Sequence, residues 1–445
     1  MAARNCRHIV FMLARPTNSC CMDWIGCDWR DRAALPRASQ ALRSRRSAWG
    51  SCRSMFIHSI RAISATRPTR AVALLFLCNG FALANWFSRI PAMKEALTLS
   101  DGALGLALLG LPLGSMLVLP FSGRLVGRAG AGRLALASGV ALTAAIMLPG
   151  LGRDVWTLFS ALVLLGMANA TMDVAMNAKA ATVESAAGVH LMSAFHGMWS
   201  VGFFLGAATG GFFAAIGIVP GLHLPIVALA VLGLLLAQRA VLRDKPAQMS
   251  ANDPVLALPR GALWPLALIA TASMLAEGAV ADWSAVYLRE SIGSSPGVAA
   301  LGLSAFSLGL TATRFAADRL GERFGDLALL RVGALIAALG MTGGIVSQTA
   351  SAAIIGFLAV GIGFAAVVPI AFRRAANTGG FTPGVGVAAV ATLAYTGFLA
   401  GPPLIGLIAE GVGLGMAMTI IPFLALVIAA MSLTVADDHP TGRDG

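Results

Sequence analysis

The chain has 445 residues, 57% of them hydrophobic and only 12% charged, with a mean hydropathy of +0.80. Soluble domains carry about 25% charged residues, so a water-soluble globule is excluded. A disordered chain, which needs the opposite balance, is excluded too. The net charge of +12 is no nucleic-acid signature, because residues 1–70 hold +10 of it and the body is nearly neutral.

Residues 1–69 read as a basic N-terminal extension. It contains five of the six cysteines (Cys6, Cys20, Cys21, Cys27 and Cys52) and an Arg-rich stretch from Arg37 to Arg53. No metal-site spacing is visible among those cysteines. Such a leader fits a transit peptide or a basic arm drawn to anionic lipid, but translation from Met55 is the expected alternative.

The body follows as twelve apolar segments, each near the 20 residues that a bilayer requires. They fall at about 70–87, 102–122, 133–150, 155–178, 191–217, 224–241, 261–286, 297–317, 327–347, 351–372, 386–409 and 415–435. A polar, proline-containing linker at 243–260 divides the body into halves at 70–242 and 261–436, and a short tail covers 437–445. If the chain starts on the inside, fifteen basic residues after residue 70 lie in inner loops and four in outer ones. That asymmetry predicts both termini on the cytoplasmic side. Arg314 is counted with the inner-loop charges.

The loop after the second segment, G-R-L-V-G-R-A-G-A-G-R, has a partner after the eighth, R-F-A-A-D-R-L-G-E-R-F-G. Arg128 and Arg319 correspond, 191 residues apart. Parallel six-helix repeats around a midplane site are a transporter architecture. Gly123, Leu125, Arg128 and Gly130, then Asp318, Arg319 and Gly321, resemble the G-x-L-x-D-R-x-G-R loop of the major facilitator superfamily. Gly127 stands where that loop has an acid, and Arg314 stands where it has its first glycine. Asp173-Val-Ala-Met-Asn177 in the fourth segment, and Glu277, Trp283 and Tyr287 in the seventh, narrow the likeness. With F-H-G-M-W-S-V-G (Phe195–Gly202), they resemble the fucose-permease-like branch and YbjJ-type inner-membrane permeases. The resemblance implies an all-α membrane fold with twelve transmembrane helices in two six-helix halves. It further implies a bacterial inner (plasma) membrane location and proton-coupled symport of a sugar-like solute.

Ionisable groups at membrane depth cost about 2.5–3.5 kcal/mol each, so they are candidate functional groups. Asn169, Asp173 and Asn177 are four apart and form one polar stripe on a helix. Apolar surroundings favour a neutral carboxyl, which lets Asp173 bind and release a proton; a permanent polar clasp is the bland alternative. Glu277 is its counterpart in the second half. Asn79, Asn85, Trp86, His196, Trp199, Trp283 and Tyr395 are expected in a substrate cavity with the two amides. Asp282 is expected at the solvated outer rim. Gly123, Arg128, Gly130, Asp318, Arg319 and Arg323 are expected to form a cytoplasmic gate. Glu184 and Lys179 are expected to pair on the cytoplasmic surface.

No P-loop and no H-E-x-x-H motif occurs, so an enzyme is not expected. No cofactor is expected either, a proton gradient serving as the energy source. The expected partners are a small-molecule substrate and the lipid bilayer, with the chain a monomer. Efflux of a drug or metabolite is the rival to symport: import calls for a polar cavity, efflux for a wider apolar one. A membrane sensor or a channel is a remoter alternative.

Overall fold

The computed structural model describes residues 63–188, 191–243, 258–380 and 383–435, without the side chains of residues 193, 318, 319, 383 and 384. The extension through residue 62, most of the linker and the tail lie outside the described residues. Twelve helices there are long and apolar enough to cross a membrane. In the first half they are α1 Arg67–Ala96, α2 Asp101–Ala129, α3 Ala131–Leu151, α4 Val155–Ala187, α5 Ala194–Ala215 and α6 Pro220–Ala237. In the second they are α7 Leu263–Glu290, α8 Pro296–Ala317, α9 Asp326–Ser347, α10 Ala350–Ala376, α11 Val385–Val412 and α12 Leu414–Met431. The helix of α8 itself continues to Phe324.

Local chemistry sets several ends. Thr66 and Thr69 form a capping box before α1, with Pro68 in its first turn, satisfying backbone N–H groups that have no partner inside the helix. Asp154 does the same for α4, accepting from Thr157 N at 2.8 Å. The bonds from Thr157 hold that carboxyl below its ordinary range. Between α2 and α3 the chain turns on Gly130 at φ 86°, and between α8 and α9 on Gly325 at φ 84°, a region that favours glycine. The loop motif had aligned Gly130 with Gly321. The structure moves the matching turn four residues on, because the eighth helix runs one turn further.

Packing repeats between the halves. α1 lies on α5 as α7 lies on α11, and α2 lies on α4 as α8 lies on α10. α1 is the most buried span, and α7 is among the next, so both belong to the interior rather than to the lipid face. Apolar side chains exposed elsewhere, such as Leu229, Leu339 and Phe423, are what a helix surface bathed in hydrocarbon carries.

The halves meet along α5–α8 and α2–α11. Near its start α2 is drawn tightly to α11: a Cβ on Gly105 would lie 2.7 Å from the Pro402 carbonyl. Beyond Gly110 the two helices scarcely touch, and Leu117, Phe121 and Tyr395 are exposed. The bundle is therefore closed at the end that carries Lys94 and parted between α2 and α11 toward the end that carries Arg128.

Candidate functional site

A cavity of about 260 Å³ lies between the halves, lined from α1, α2, α4, α5, α7, α8 and α11. Asn169, Asp173, Trp199, Glu277 and Tyr395 line it, as expected, together with Ser200, Thr311 and Arg314. Most of the wall is apolar: Leu83, Phe87, Leu111, Met116, Phe203, Met274, Phe306, Leu310 and Phe398.

The amides do not present a free polar surface. Asn79 donates to Asn169 Oδ1 at 2.9 Å, and Trp199 Nε1 donates to Asn79 Oδ1 at 2.8 Å. One clasp thus ties α1, α4 and α5 together, and Asn79 is buried behind the wall. The stripe on α4 is also used internally: Asn177 donates to the Asp173 carbonyl at 2.9 Å and to its Oδ1 at 3.2 Å. Asn177 does not reach the cavity wall.

The two acids differ in their partners. Asp173 has an amide and no cation within ion-pair distance among the described residues. Glu277 accepts from Ser273 Oγ at 2.9 Å, and its Oε2 lies 4.0 Å from Arg314 Nη2. Arg314 also donates to Ser200 Oγ at 3.3 Å, a contact that joins α8 to α5 across the halves. Arg314 was assigned to a loop from sequence, yet it faces the cavity. The signal was available, since it lies inside the apolar segment 297–317 where an isolated charge is unexpected.

Other expected residues stand elsewhere. Trp86 and Trp283 are fully buried away from the cavity, and neither indole N–H has a partner. Asn85 is buried too; it donates to the Phe81 carbonyl, and its Oδ1 lies 2.9 Å from His223 Nε2. His196 is off the wall, edge-on to Phe76 at 5.1 Å. Asp282 is not on a rim, being only 7% exposed. Glu184 accepts from the Leu191 and Met192 amides at 2.5 and 2.6 Å, so it caps the start of the fifth helix.

The expected gate end carries no ion pair between halves among the described side chains. Arg128 is exposed, and Arg323 lies over the Phe324 ring. Arg373 pairs with Asp326 of its own half at 2.6 Å. The side chains of Asp318 and Arg319 lie outside the description. Sequence reasoning missed the pairs at the opposite end. There the buried Lys94 lies 2.5 Å from Asp101 of its own half and 2.5 Å from Glu290 of the other. Nearby, Gly102 N donates across the halves to Glu410 Oε2 at 2.8 Å. These pairs form where α2 and α11 approach.

A model of the Major Facilitator Superfamily matches residues 72–281. The chain is 36% identical over 369 residues to "Uncharacterized transporter y4wD" of Sinorhizobium fredii, covering 82% of this chain and 97% of that protein. It is 35% identical over 363 residues to an uncharacterized MFS-type transporter of Yersinia pestis, covering 81% and 94%. It is 32% identical over 376 residues to the membrane protein MosC of Rhizobium meliloti, covering 84% and 91%. Among solved structures, the nucleoside transporter NupG superposes with a TM-score of 0.66 at 13% identity, covering 83% of this chain and 99% of that one. An inward-facing, occupied bacterial homologue of the lysosomal transporter Spinster gives 0.64 at 16% identity, covering 82% and 95%. At these identities the structures share a fold.

Proposed function

We propose, from the premise that the chain belongs to the Major Facilitator Superfamily and is a membrane transporter, that it is proton-coupled and works by alternating access. The observation that carries this is Asp173: a carboxyl on the wall of a cavity between the halves, with no cation beside it. Without a counter-charge, such a group is stabilised by a proton or by a bound cation, and the choice between them couples their movements. Closure at the Lys94 end with a parting at the other supports two alternating states. On the positive-inside expectation, the present state opens toward the cytoplasm.

The wall favours an amphipathic metabolite or drug, moved outward against protons, over a sugar moved inward. A sugar needs many uncommitted hydrogen-bond partners, and the amides that would supply them are engaged with one another. The aromatic and aliphatic wall suits a solute with an apolar body.

The test uses proteoliposomes with an imposed pH gradient and a panel of amphipathic amines, amphipathic carboxylates and neutral sugars. At least one amphipathic solute should move when the gradient is applied. Asp173→Asn should lose this response while retaining solute–solute exchange. Full gradient-driven transport by Asp173→Asn would overturn the coupling role, and exclusive transport of sugars would overturn the solute class.

A further inference from the structure

Asp282 has no role in the cavity just described, yet it is the least expected polar group in the bundle. It is 7% exposed and has no hydrogen-bond or ion-pair partner among the described residues. The next two residues repeat the pattern: Trp283 Nε1 and Ser284 Oγ are buried and unpartnered. Buried polar groups in folded proteins almost always find partners. These two exceptions follow directly on Asp282 in the chain.

Packing fixes where Asp282 lies. On α7, Thr271 and Leu275 face α11 through Gly397 and Gly401, and a Cβ on Gly278 would lie 3.2 Å from the Phe398 ring. Asp282 is one turn beyond Gly278 and two beyond Leu275, on the same face. The same register sets it level with residues 405–409 of α11, where Ile405 and Ala409 are buried and no side chain is polar. At that level Gly406 packs on Asp101 and Gly105 of α2, the contact that closes the bundle. With a rise of 1.5 Å per residue, Asp282 lies about 12 Å below Glu290 and the Lys94 pairs, and about 7 Å above Glu277.

No neighbouring charge compensates it. Its own helix carries Glu277, Tyr287, Arg289 and Glu290, with Arg289 turned to the Ser294 carbonyl and Glu95; α11 contributes Tyr395 and Glu410, α8 contributes Arg314, α2 contributes Asp101, and the end of α1 contributes Arg89, Lys94 and Glu95. None of these bonds to Asp282, and α10 and α12 contribute no titratable side chain between 350–364 and 414–431. An ionised carboxylate there would have little water and no paired counter-charge, so the closed state favours the neutral acid.

We propose that Asp282 is a proton-loading carboxyl served from the Lys94 end of the bundle. When the halves part at that end, water reaches it, its O–H bond breaks, the proton passes to water and the carboxylate remains hydrated. Reclosure requires it to take a proton back from that same side. Asp173, in a cavity parted toward the other end, serves the opposite side. The inference uses the two-state reading above only for the opening of the Lys94 end.

Dicyclohexylcarbodiimide adds to protonated carboxyls from the membrane phase and needs no transported solute. Full-length protein in nanodiscs would be treated at pH 6 and pH 9, and the adduct at residue 282 quantified by peptide mass spectrometry. The wild type should be labelled at both pH values. Lys94→Met, which removes the pairs that close this end, should keep labelling at pH 6 and lose about fivefold at pH 9, the effect of about 1 kcal/mol. Glu290→Gln serves if Lys94→Met does not fold, and Asp282→Asn should lose this adduct alone. An unlabelled wild-type Asp282, or equal labelling at pH 9 in wild type and opened variant, would overturn the proposal. A failure to find any gradient-driven solute would leave these labelling results intact and count only against the transport reading.

Discussion

Asp173 and Glu277 face one cavity from opposite halves, and the sequence presents them as counterparts, each in a long apolar helix of its own half. Their surroundings differ. Asp173 has only Asn177, whereas Glu277 has Ser273 and a guanidinium 4.0 Å away. The second half supplies its own counter-charge and the first does not. A proton on Asp173 therefore changes the cavity's net charge with nothing to absorb the change, while Glu277 and Arg314 form a nearly neutral unit. The first half is the better place for coupling, and the second is the better place for a fixed dipole that orients solute and bridges to Ser200.

The largest effect should come from abolishing the charge change on the first wall. Asp173→Asn keeps the shape and the bond to Asn177 but cannot exchange a proton. Gradient-driven solute movement in proteoliposomes should fall to the level of empty vesicles, with counterflow retained. The matching change on the other wall, Glu277→Gln, should leave part of the gradient response, and equal losses would erase the distinction between the walls.

Next is the pair itself. Arg314→Met leaves Glu277 at depth without a cation, and breaking a buried pair from one side costs about 3–5 kcal/mol. Both side chains remain partly accessible, so roughly half of that range is expected. Thermal unfolding in detergent should report a clear loss of Tm for Arg314→Met. The double variant Arg314→Met/Glu277→Gln should recover most of it, because no unpaired charge remains. A double variant no more stable than the single would show that Arg314 acts through Ser200 instead.

Lys94 offers a smaller change and tests how the two ends differ. Its partner Glu290 is 40% exposed, so losing the pair should shift the balance of states by about 1–2 kcal/mol, a factor of about 5–30 in population. Spin labels at Ala96→Cys and Ser291→Cys, exposed on opposite halves at this end, should show a longer distance component in Lys94→Met. An unchanged distribution would mean that the α2–α11 glycine contact alone keeps this end shut.

The fold was legible because membrane depth enforces it. Twelve apolar segments and a basic-loop asymmetry leave few other architectures, and the observed helices overlap the expected segments throughout. The wall was legible only where polarity is rare: Asp173, Glu277, Asn169, Trp199 and Tyr395 stood out in apolar helices and reach the cavity. Rotational phase was not legible, because α4, α5, α6 and α7 are apolar on nearly all sides, leaving periodicity little to distinguish. Trp283, on α7, was misplaced for that reason; Trp86 and Asn85 were misplaced because α1 is buried on nearly all sides, so facing inward is not the same as facing the cavity. The Lys94 cluster was hidden differently. Glu290 and Glu410 lie far in the chain from Lys94 and Asp101, all four near helix ends where charge is ordinary, and only the approach of the two halves unites them.

The smallest expected effect separates the two tryptophans that looked alike in sequence. Trp199 borders the cavity and donates its indole N–H to Asn79, so Trp199→Phe strands a buried acceptor, at about 1–3 kcal/mol. Trp283 is as large and fully buried, but its N–H has no partner to lose. Trp283→Phe removes an unsatisfied donor along with part of the ring, two changes that oppose each other. Its Tm should therefore stay within a few degrees of wild type, and solute affinity should not move, whereas Trp199→Phe should lower both. A loss of affinity in Trp283→Phe would return Trp283 to the cavity and put the observed phase of α7 in error.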